Sequence, residues 1–579
     1  MLSCPPLAPA LSLKRSALYW PLLACGLALM VAFLLPYHIH PLRVFYHDAA
    51  AVIGLLLCLA GLMRVATPRL RLPGVALAPL AVMALILLQY ALGLIPIAAD
   101  IVLPLMYLLL CAVALCVGAQ LTVEHEQAVC LLLAPVFLLA GSISVCMQYT
   151  QMLGVTAAPW VMSMAHSSQI NLRPYANVAQ PNQLALLLCF ALAGLAFLFE
   201  QARVGRRAAV ALVLLLLSGL VLTQSRIGWI IVPAFAACLW RPVAGQRRCS
   251  VLTLAALCLF YGLLVTLLPL INQLAGLAGG SVTEHIGGRS ERLSLWGQAW
   301  HIAAAHPWLG AGWFGFGTEQ VKVAADLMTG TYAEHAHNLI LNLAAELGWP
   351  AAALLCAALV YWLRQTCFSA PLSAGARMAL MCLVAALVHS MVEFPLWYAY
   401  VLIPVALLMG MLHQRRWPSR GRRVATCWVH AAVALACLVL VGVCWDYQRV
   451  VAGFRVLRWD ASPAGISNPA LVAPRYTLFP QYFAYFKLMQ MPLHADMAAA
   501  DIAYFEYWTP RFGFVHILNK LAEVYVLNGQ PQAALRMMQT LQRLHPDAYP
   551  EYFDYWRAQA RVDTRYAVVL HGMPLRSAP

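Results

Sequence analysis

Apolar residues run along this chain in blocks about as long as a helix needs to cross a bilayer, with short polar stretches between them. The blocks predict helices at 18–36, 48–64, 75–92, 97–118, 128–147, 181–200, 207–222, 226–240, 250–270, 338–363, 378–395, 397–413 and 425–444. Several contain Pro or Gly, which membrane helices tolerate when neighbouring groups satisfy the freed backbone. Lys14 and Arg15 precede the first block and no small-residue cleavage site follows it, so a retained helix is expected rather than a removed signal peptide. The expected fold class is an all-α polytopic membrane protein of about 13 transmembrane helices.

Composition supports that class. The 579 residues are 63% hydrophobic and 10% charged, with a mean hydropathy of +0.75, which leaves more apolar surface than a soluble domain of this size hides. The formal charge of +15 is distributed by topology. With Lys14 and Arg15 placed in the cytoplasm, alternate loops carry Arg64, Arg69 and Arg71; Arg203, Arg206 and Arg207; Arg241, Arg247 and Arg248; Arg364 and Arg377; and Arg415, Arg416, Arg420, Arg422 and Arg423. Only the 119–127 loop lacks arginine. These runs read as cytoplasmic anchors facing anionic membrane lipid, and no nucleic-acid footprint is expected.

The same count puts 148–180, the loop 271–337 and the tail from 445 to 579 outside. None of the three contains any of the 17 cysteines, so neither a disulfide framework nor a CxxC metal pattern is expected. The predicted organisation is a transmembrane core over 1–444, a large external loop 271–337 within it, and a helical external domain over 445–579. In that domain Ile517, Leu518, Leu521, Ala522 and Tyr525 form one helical stripe. Asn528-Gly529 supplies a stop, and Ala533, Ala534, Met537, Met538 and Leu541 form the next stripe. This predicts one hairpin of tetratricopeptide type, which by itself more often packs onto its own domain than binds a peptide.

Four polar clusters at external positions are chemical candidates. The first gathers Asn171, Arg173, Tyr175, Asn177, Gln180, Asn182 and Gln183, where any member can serve as a helix cap but Arg173 is the only basic residue of its loop. The second is Thr223-Gln224-Ser225-Arg226, whose arginine can equally snorkel to lipid phosphate. The third is the GGRSERLSLWGQAW stretch, 287–300, where Arg289 and Arg292 open an amphipathic helix able to lie on the membrane interface. The glycine-rich turn after it, 306–317, lacks the order of a nucleotide fingerprint. The fourth is Glu334, His335, His337 and Asn338. On a helix the two histidines would point about 200° apart, a poor pair of metal ligands; in an extended turn they could bind metal, but no third convergent ligand stands nearby beyond Glu334, so a neutral imidazole acting as base or hydrogen-bond partner is the expectation.

The stretch RLSLWGQAW…HPWLGAGWFGFG, followed by HAHN and, after nine intervening residues, Gly348, resembles the O-antigen ligase and polymerase superfamily of membrane glycosyltransferases. The tract VHSMVEFPLWYAY, 388–400, and the helical tail are more similar to its protein O-oligosaccharyltransferase branch, the pilin-glycosylating enzymes. The residues after Gly348, Trp349-Pro350-Ala351, depart from the ligase form of the motif.

The resemblance implies a GT-C-like glycosyltransferase of the bacterial inner membrane with its active site facing the periplasm. It implies an undecaprenyl-diphosphate-linked oligosaccharide donor, an exported pilin-like acceptor protein, no cofactor and no metal; a monomer is expected. Matched to the family motifs, His337, Arg292 and Arg226 take catalytic positions, and Arg173, Arg289, Glu334, Asn338 and His335 are substrate-binding candidates. Arginine forks would neutralise the diphosphate while His337 accepts or orients the acceptor's Ser/Thr hydroxyl, inverting the anomeric centre. Transfer to lipid A core, as in an O-antigen ligase, or to a growing glycan, as in a polymerase, stays open. So does a lipid-linked glycan flippase, although its polar groups should sit in broken helices at the midplane and in repeated halves.

Overall fold

The structure, a computed structural model, describes residues 18–65, 69–125, 127–155, 157–164, 173–241, 250–274, 291–327, 330–369, 371–418, 422–459 and 468–575. Every apolar block forms helix. In chain order these are α1 (Tyr19–Leu34), α2 (Phe45–Val65), α3 (Leu77–Ala91), α4 (Ala99–Glu124), α5 (Ala128–Met152), α6 (Pro181–Glu200), α7 (Arg206–Leu222), α8 (Gly228–Trp240) and α9 (Val251–Leu274). Then come α10 (Glu291–Ala305), α11 (Phe316–Lys322), α12 (Leu339–Leu347), α13 (Trp349–Leu363), α14 (Ala374–Ser390), α15 (Ala399–Arg416) and α16 (Thr426–Trp459). The tail adds α17 (Pro480–Gln490), α18 (Ala499–Phe512), α19 (Val515–Leu527), α20 (Pro531–Leu544), α21 (Tyr549–Gln559) and α22 (Thr564–Gly572).

Among the described residues eight helices are long and apolar enough to cross a membrane: α2, α3 with the turn before it, α4, α5, α6, α9, α13 with its π-helical extension, and α16. Helices α1, α8 and α14 are apolar but shorter. The protein is thus an all-α, multi-pass membrane protein with large regions outside the spans. Two compact units emerge, one of residues 1–82, 106–288 and 358–441, the other of 83–105, 289–357 and 442–579.

The first unit is built on α1, α2, α5, α6, α14 and α15, whose Leu, Ala, Phe and Val side chains form one buried cluster. Local chemistry sets the helix starts. Gln180 accepts from the Gln183 amide with Pro181 in the first turn, and Ser373 accepts from the Ala376 amide. A short antiparallel ribbon, absent from the sequence reading, pairs β1 (Arg69–Leu72) with β2 (Arg422–Ala425) in the register Arg69 to Ala425. Arg377, expected in a cytoplasmic loop, is instead buried. It pairs with Glu200 and donates to the carbonyls of Leu239 and Arg241, because a guanidinium removed from water needs a carboxylate and further acceptors.

In the second unit the block expected as one helix over 338–363 is broken in two. Asn338 caps α12 by accepting from the Leu341 amide, and Gly348, at φ +85°, ends it after nine residues. The membrane-length segment starts only at Trp349. The break is forced by a crossing of backbones: the Ala311 amide donates to the Ala345 carbonyl (2.8 Å) and the Trp349 amide to the Pro307 carbonyl (2.9 Å). A Cβ on Gly348 would lie 2.3 Å from the Trp308 carbonyl oxygen, and one on Gly310 would lie 2.2 Å from the Glu346 carbonyl carbon. Gln89 of α3, fully buried, closes the crossing. Its Nε2 donates to the carbonyls of Leu309 (2.6 Å) and Glu346 (2.7 Å), and its Oε1 accepts from the Trp313 amide (3.1 Å).

The start of the tail is continuous with the helix before it. Helix α16 continues to Trp459, and its 34 residues give a length of roughly 51 Å, more than a hydrocarbon core requires. Asp446 on it accepts from the Thr477 hydroxyl and the Leu478 amide, which fixes the chain's return into α17. The hairpin of α19 and α20 turns at Asn528-Gly529, with Gly529 at φ +75°. Its stripes are buried against α21 and α22 and against Val321 and Ala324 outside the tail: Trp556 of α21 donates to Asn519 of α19 (2.8 Å) and packs at a 53° tilt against Tyr566 of α22.

Replacing Gly348 by Ala puts a side chain both into a left-handed backbone and against the Trp308 carbonyl. It should cost about 3 kcal/mol or more. Thermal unfolding of the detergent-solubilised variant, followed by the fraction surviving size-exclusion chromatography, should show a much lower midpoint; an unchanged midpoint would mean the crossing is not under steric constraint.

Candidate functional site

The polar candidates of the first unit converge on one turn. Thr223, Gln224 and Ser225 are buried where α7 ends, with Gln224 at φ +53°, while Arg226 is exposed. Arg173 reaches this turn, donating from Nε to the Thr223 carbonyl (2.9 Å) and from Nη2 to Asn182 Oδ1 (3.1 Å). Asn182 passes the contact on, its Nδ2 donating to Glu393 Oε1 (2.7 Å). The structure thus brings Arg173, the Arg226 turn and a buried carboxylate together.

Other members of the first cluster have local duties. Asn177 donates to the Leu34 and Trp160 carbonyls and accepts from the Met162 amide, and Gln180 caps α6. Asn171 lies outside the described residues.

In the second unit α10 begins at Glu291 and carries Arg292, half-buried, in its first turn. Arg289 lies outside the described residues. Trp296, one turn beyond Arg292 and on the same helix face, donates from its indole to the His337 carbonyl at 3.4 Å. His337 adopts φ +51°, a left-handed conformation unusual for a histidine. Its Nδ1 lies 3.1 Å from the His335 carbonyl, which can only accept, so in the tautomer that makes this bond Nδ1 is the donor. On either side, the Ala336 amide donates to Asn342 Oδ1 (2.9 Å) and Asn338 caps α12.

His335 and Glu334 have other surroundings. His335 is buried with its ring 5.5 Å from that of Phe314, and burial together with the neighbouring His337 and Arg511 pushes its imidazole down to about 3, so it stays neutral. Glu334 is exposed and pairs with Arg511 Nη1 at 3.4 Å. Among the described residues no group of three or more His, Cys, Asp or Glu side chains is arranged to hold a metal ion. The glycine-rich turn turns its amides inward: those of Phe314 and Phe316 bond the buried carboxyl of Glu346.

Two family models match this chain. One, described as O-antigen ligase, covers residues 210–356 and so includes Arg226, Arg292, Glu334, His335, His337 and Asn338. The other, described as virulence factor membrane-bound polymerase, C-terminal, covers 377–559 and includes Glu393 and Arg511. A General O-oligosaccharyltransferase of Acinetobacter baylyi is 26% identical over 91% of this chain and 93% of its own length. The chain belongs to the bacterial O-oligosaccharyltransferase and O-antigen ligase/polymerase superfamily. A ComP-specific O-oligosaccharyltransferase of the same organism is 24% identical over 66% of this chain and 69% of its own.

Several polar residues of this superfamily member escaped the sequence reading: Gln89, Asp100, Glu346, Glu393 and Arg511. Each is an isolated polar residue at the edge or in the middle of an apolar or aromatic stretch, and that isolation is the signal that points to a buried partner.

Glu346 yields a pH prediction. Burial pushes its carboxyl up to about 8 from an ordinary value near 4.5, so the folded protein keeps a proton that the unfolded chain releases. Its contribution to stability is therefore complete below pH about 4.5 and is lost as pH rises towards about 8. Glu346→Gln, neutral at every pH, should remove this slope and raise the unfolding midpoint most at the alkaline end. Thermal unfolding of parent and variant across that window checks it; parallel curves would place the carboxyl outside the linkage.

Proposed function

We propose that this superfamily member is an O-linked oligosaccharyltransferase that moves a glycan from undecaprenyl diphosphate to Ser or Thr of an exported protein such as a pilin, at the periplasmic face of the inner membrane. The observation that carries the reading is the near full-length similarity, tail included, to a relative named as a general O-oligosaccharyltransferase. The second relative, named as specific for one acceptor, supports it.

In this reading the acceptor hydroxyl oxygen attacks the anomeric carbon, the bond from that carbon to the diphosphate oxygen breaks, and the diphosphate leaves with the bonding electrons. His337 Nε2 takes or orients the hydroxyl proton. Arg226 and Arg292 bind the diphosphate as its charge grows, with Arg173 and Arg289 assisting and Glu334, His335 and Asn338 near the bound substrates. Single displacement inverts the anomeric centre. The family description of one match, O-antigen ligase, keeps transfer to lipid A core as the second reading.

The deciding experiment reconstitutes the full chain with lipid-linked oligosaccharide and, separately, pilin, lipid A core and a second donor molecule, with products read by mass spectrometry. Glycan on protein is expected. Glycan on lipid A core or an elongated donor would overturn the acceptor assignment, and movement across vesicles without transfer would indicate a flippase.

His337→Ala should abolish transfer while donor binding persists. Arg226→Lys and Arg292→Lys keep charge but lose the planar fork, and each should slow transfer about tenfold or more. Parent-rate turnover by both folded lysine variants would remove the clamp. Of the proposed thirteen spans, the sidedness is tested by reporter fusions after residues 205, 320 and 500: the first should report cytoplasm and the other two periplasm, and a cytoplasmic residue 500 would overturn the topology.

A further inference from the structure

The two strained turns of the second unit meet at a residue from the tail. Phe314, at φ +63°, and His337, at φ +51°, are both non-glycine residues in left-handed backbone, which costs roughly 1–2 kcal/mol each and persists only where surrounding contacts dictate it. Their segments touch through the Phe314 and His335 rings. Arg511, in the last turn of α18, reaches both. Its guanidinium grips Asp100 with two parallel bonds (Nε to Oδ2 2.9 Å, Nη2 to Oδ1 3.0 Å) and extends Nη1 to Glu334, three residues before His337. It also lies over the Phe314 ring, 5.7 Å from the centroid. The bidentate grip on Asp100 fixes the plane of the fork, and a fixed plane decides where the remaining N–H and the guanidinium face point. The same end of the tail grasps the segment leading into the turn: the Gly330 amide donates to the Arg543 carbonyl, the Tyr332 amide to the Leu544 carbonyl, and Arg543 to the Leu327 carbonyl.

We propose that Arg511 is the positioning residue of the His335–His337 turn, anchored on Asp100 and acting through Glu334 and Phe314. This rests on the reading of His337 as the residue that handles the acceptor proton. Arg511 touches neither substrate in this scheme; it sets the direction of the imidazole that does. Its effect should therefore fall on the rate of the bound complex, since misplacing a catalytic group by a fraction of an ångström slows the chemical step without weakening donor binding.

The test uses the reconstituted full chain with lipid-linked donor and pilin acceptor, comparing Arg511→Lys, Glu334→Gln, His337→Ala and the exchange Asp100→Arg with Arg511→Asp. Arg511→Lys should lower kcat about ten- to a hundredfold with the donor KM unchanged. Glu334→Gln should lower kcat less. The exchange restores an ion pair and with it most of the thermal midpoint, but it faces Glu334 with a carboxylate, so kcat should stay low. Hydrogen–deuterium exchange of backbone amides 334–342 should quicken in both Arg511 variants. Unchanged exchange there, or parent kcat in the exchanged pair, would overturn the positioning role. If His337→Ala itself turned over at the parent rate, the reading of His337 would fail, and the amide exchange alone would then decide whether Arg511 holds the turn.

Discussion

The polar part of the second unit hangs on one crossing, in which the strand of chain from Pro307 to Trp313 passes over the end of α12 with no side chain between the backbones. Two glycines make the approach possible, and the primary amide of Gln89 makes it stable by satisfying three backbone groups at the crossing. Move the crossing and the rest moves with it. Phe314 and Phe316 would no longer face Glu346, α12 would no longer end at Gly348, and the turn carrying His337 would lose the fixed start of α12 from which Asn342 holds the Ala336 amide.

The helices were legible because hydrophobic length is a coarse property that survives most tertiary contacts: each apolar block is helical over most of its length. The stop at Gly348 was less so, since a glycine inside an apolar run is compatible with a continuing membrane helix until its opposing backbone is known. The hairpin at Asn528-Gly529 could be read because its turn is local. The ribbon between Arg69–Leu72 and Arg422–Ala425 could not, because pairing at that separation leaves no local pattern. Among the candidate site residues, Arg226, Arg292 and His337 carry recognisable motifs. Asp100 and Arg511 belong to none, and their relation exists only once the chain has folded.

Burial sorts the arginines. Arg377 and Arg511, with side chains 6% and 14% exposed, are largely withdrawn from water and are each matched to a carboxylate, Glu200 and Asp100, as the cost of desolvating a guanidinium demands. Arg226 is exposed, and Arg173 and Arg292 are half-buried, so their charge can still be shared with an incoming anion. A count of basic residues by loop treats Arg377 like its neighbours, yet it and Arg511 are internal struts.

The pair between Asp100 and Arg511 joins residues 411 positions apart. During synthesis Asp100 enters its helix long before its counter-ion exists, and a chain cut short anywhere before α18 never supplies one. An acidic side chain left bare at the end of an apolar span is a chemically conspicuous sign of an unfinished molecule. Completion of the tail is thus written into the early part of the protein as the pairing of a single carboxylate.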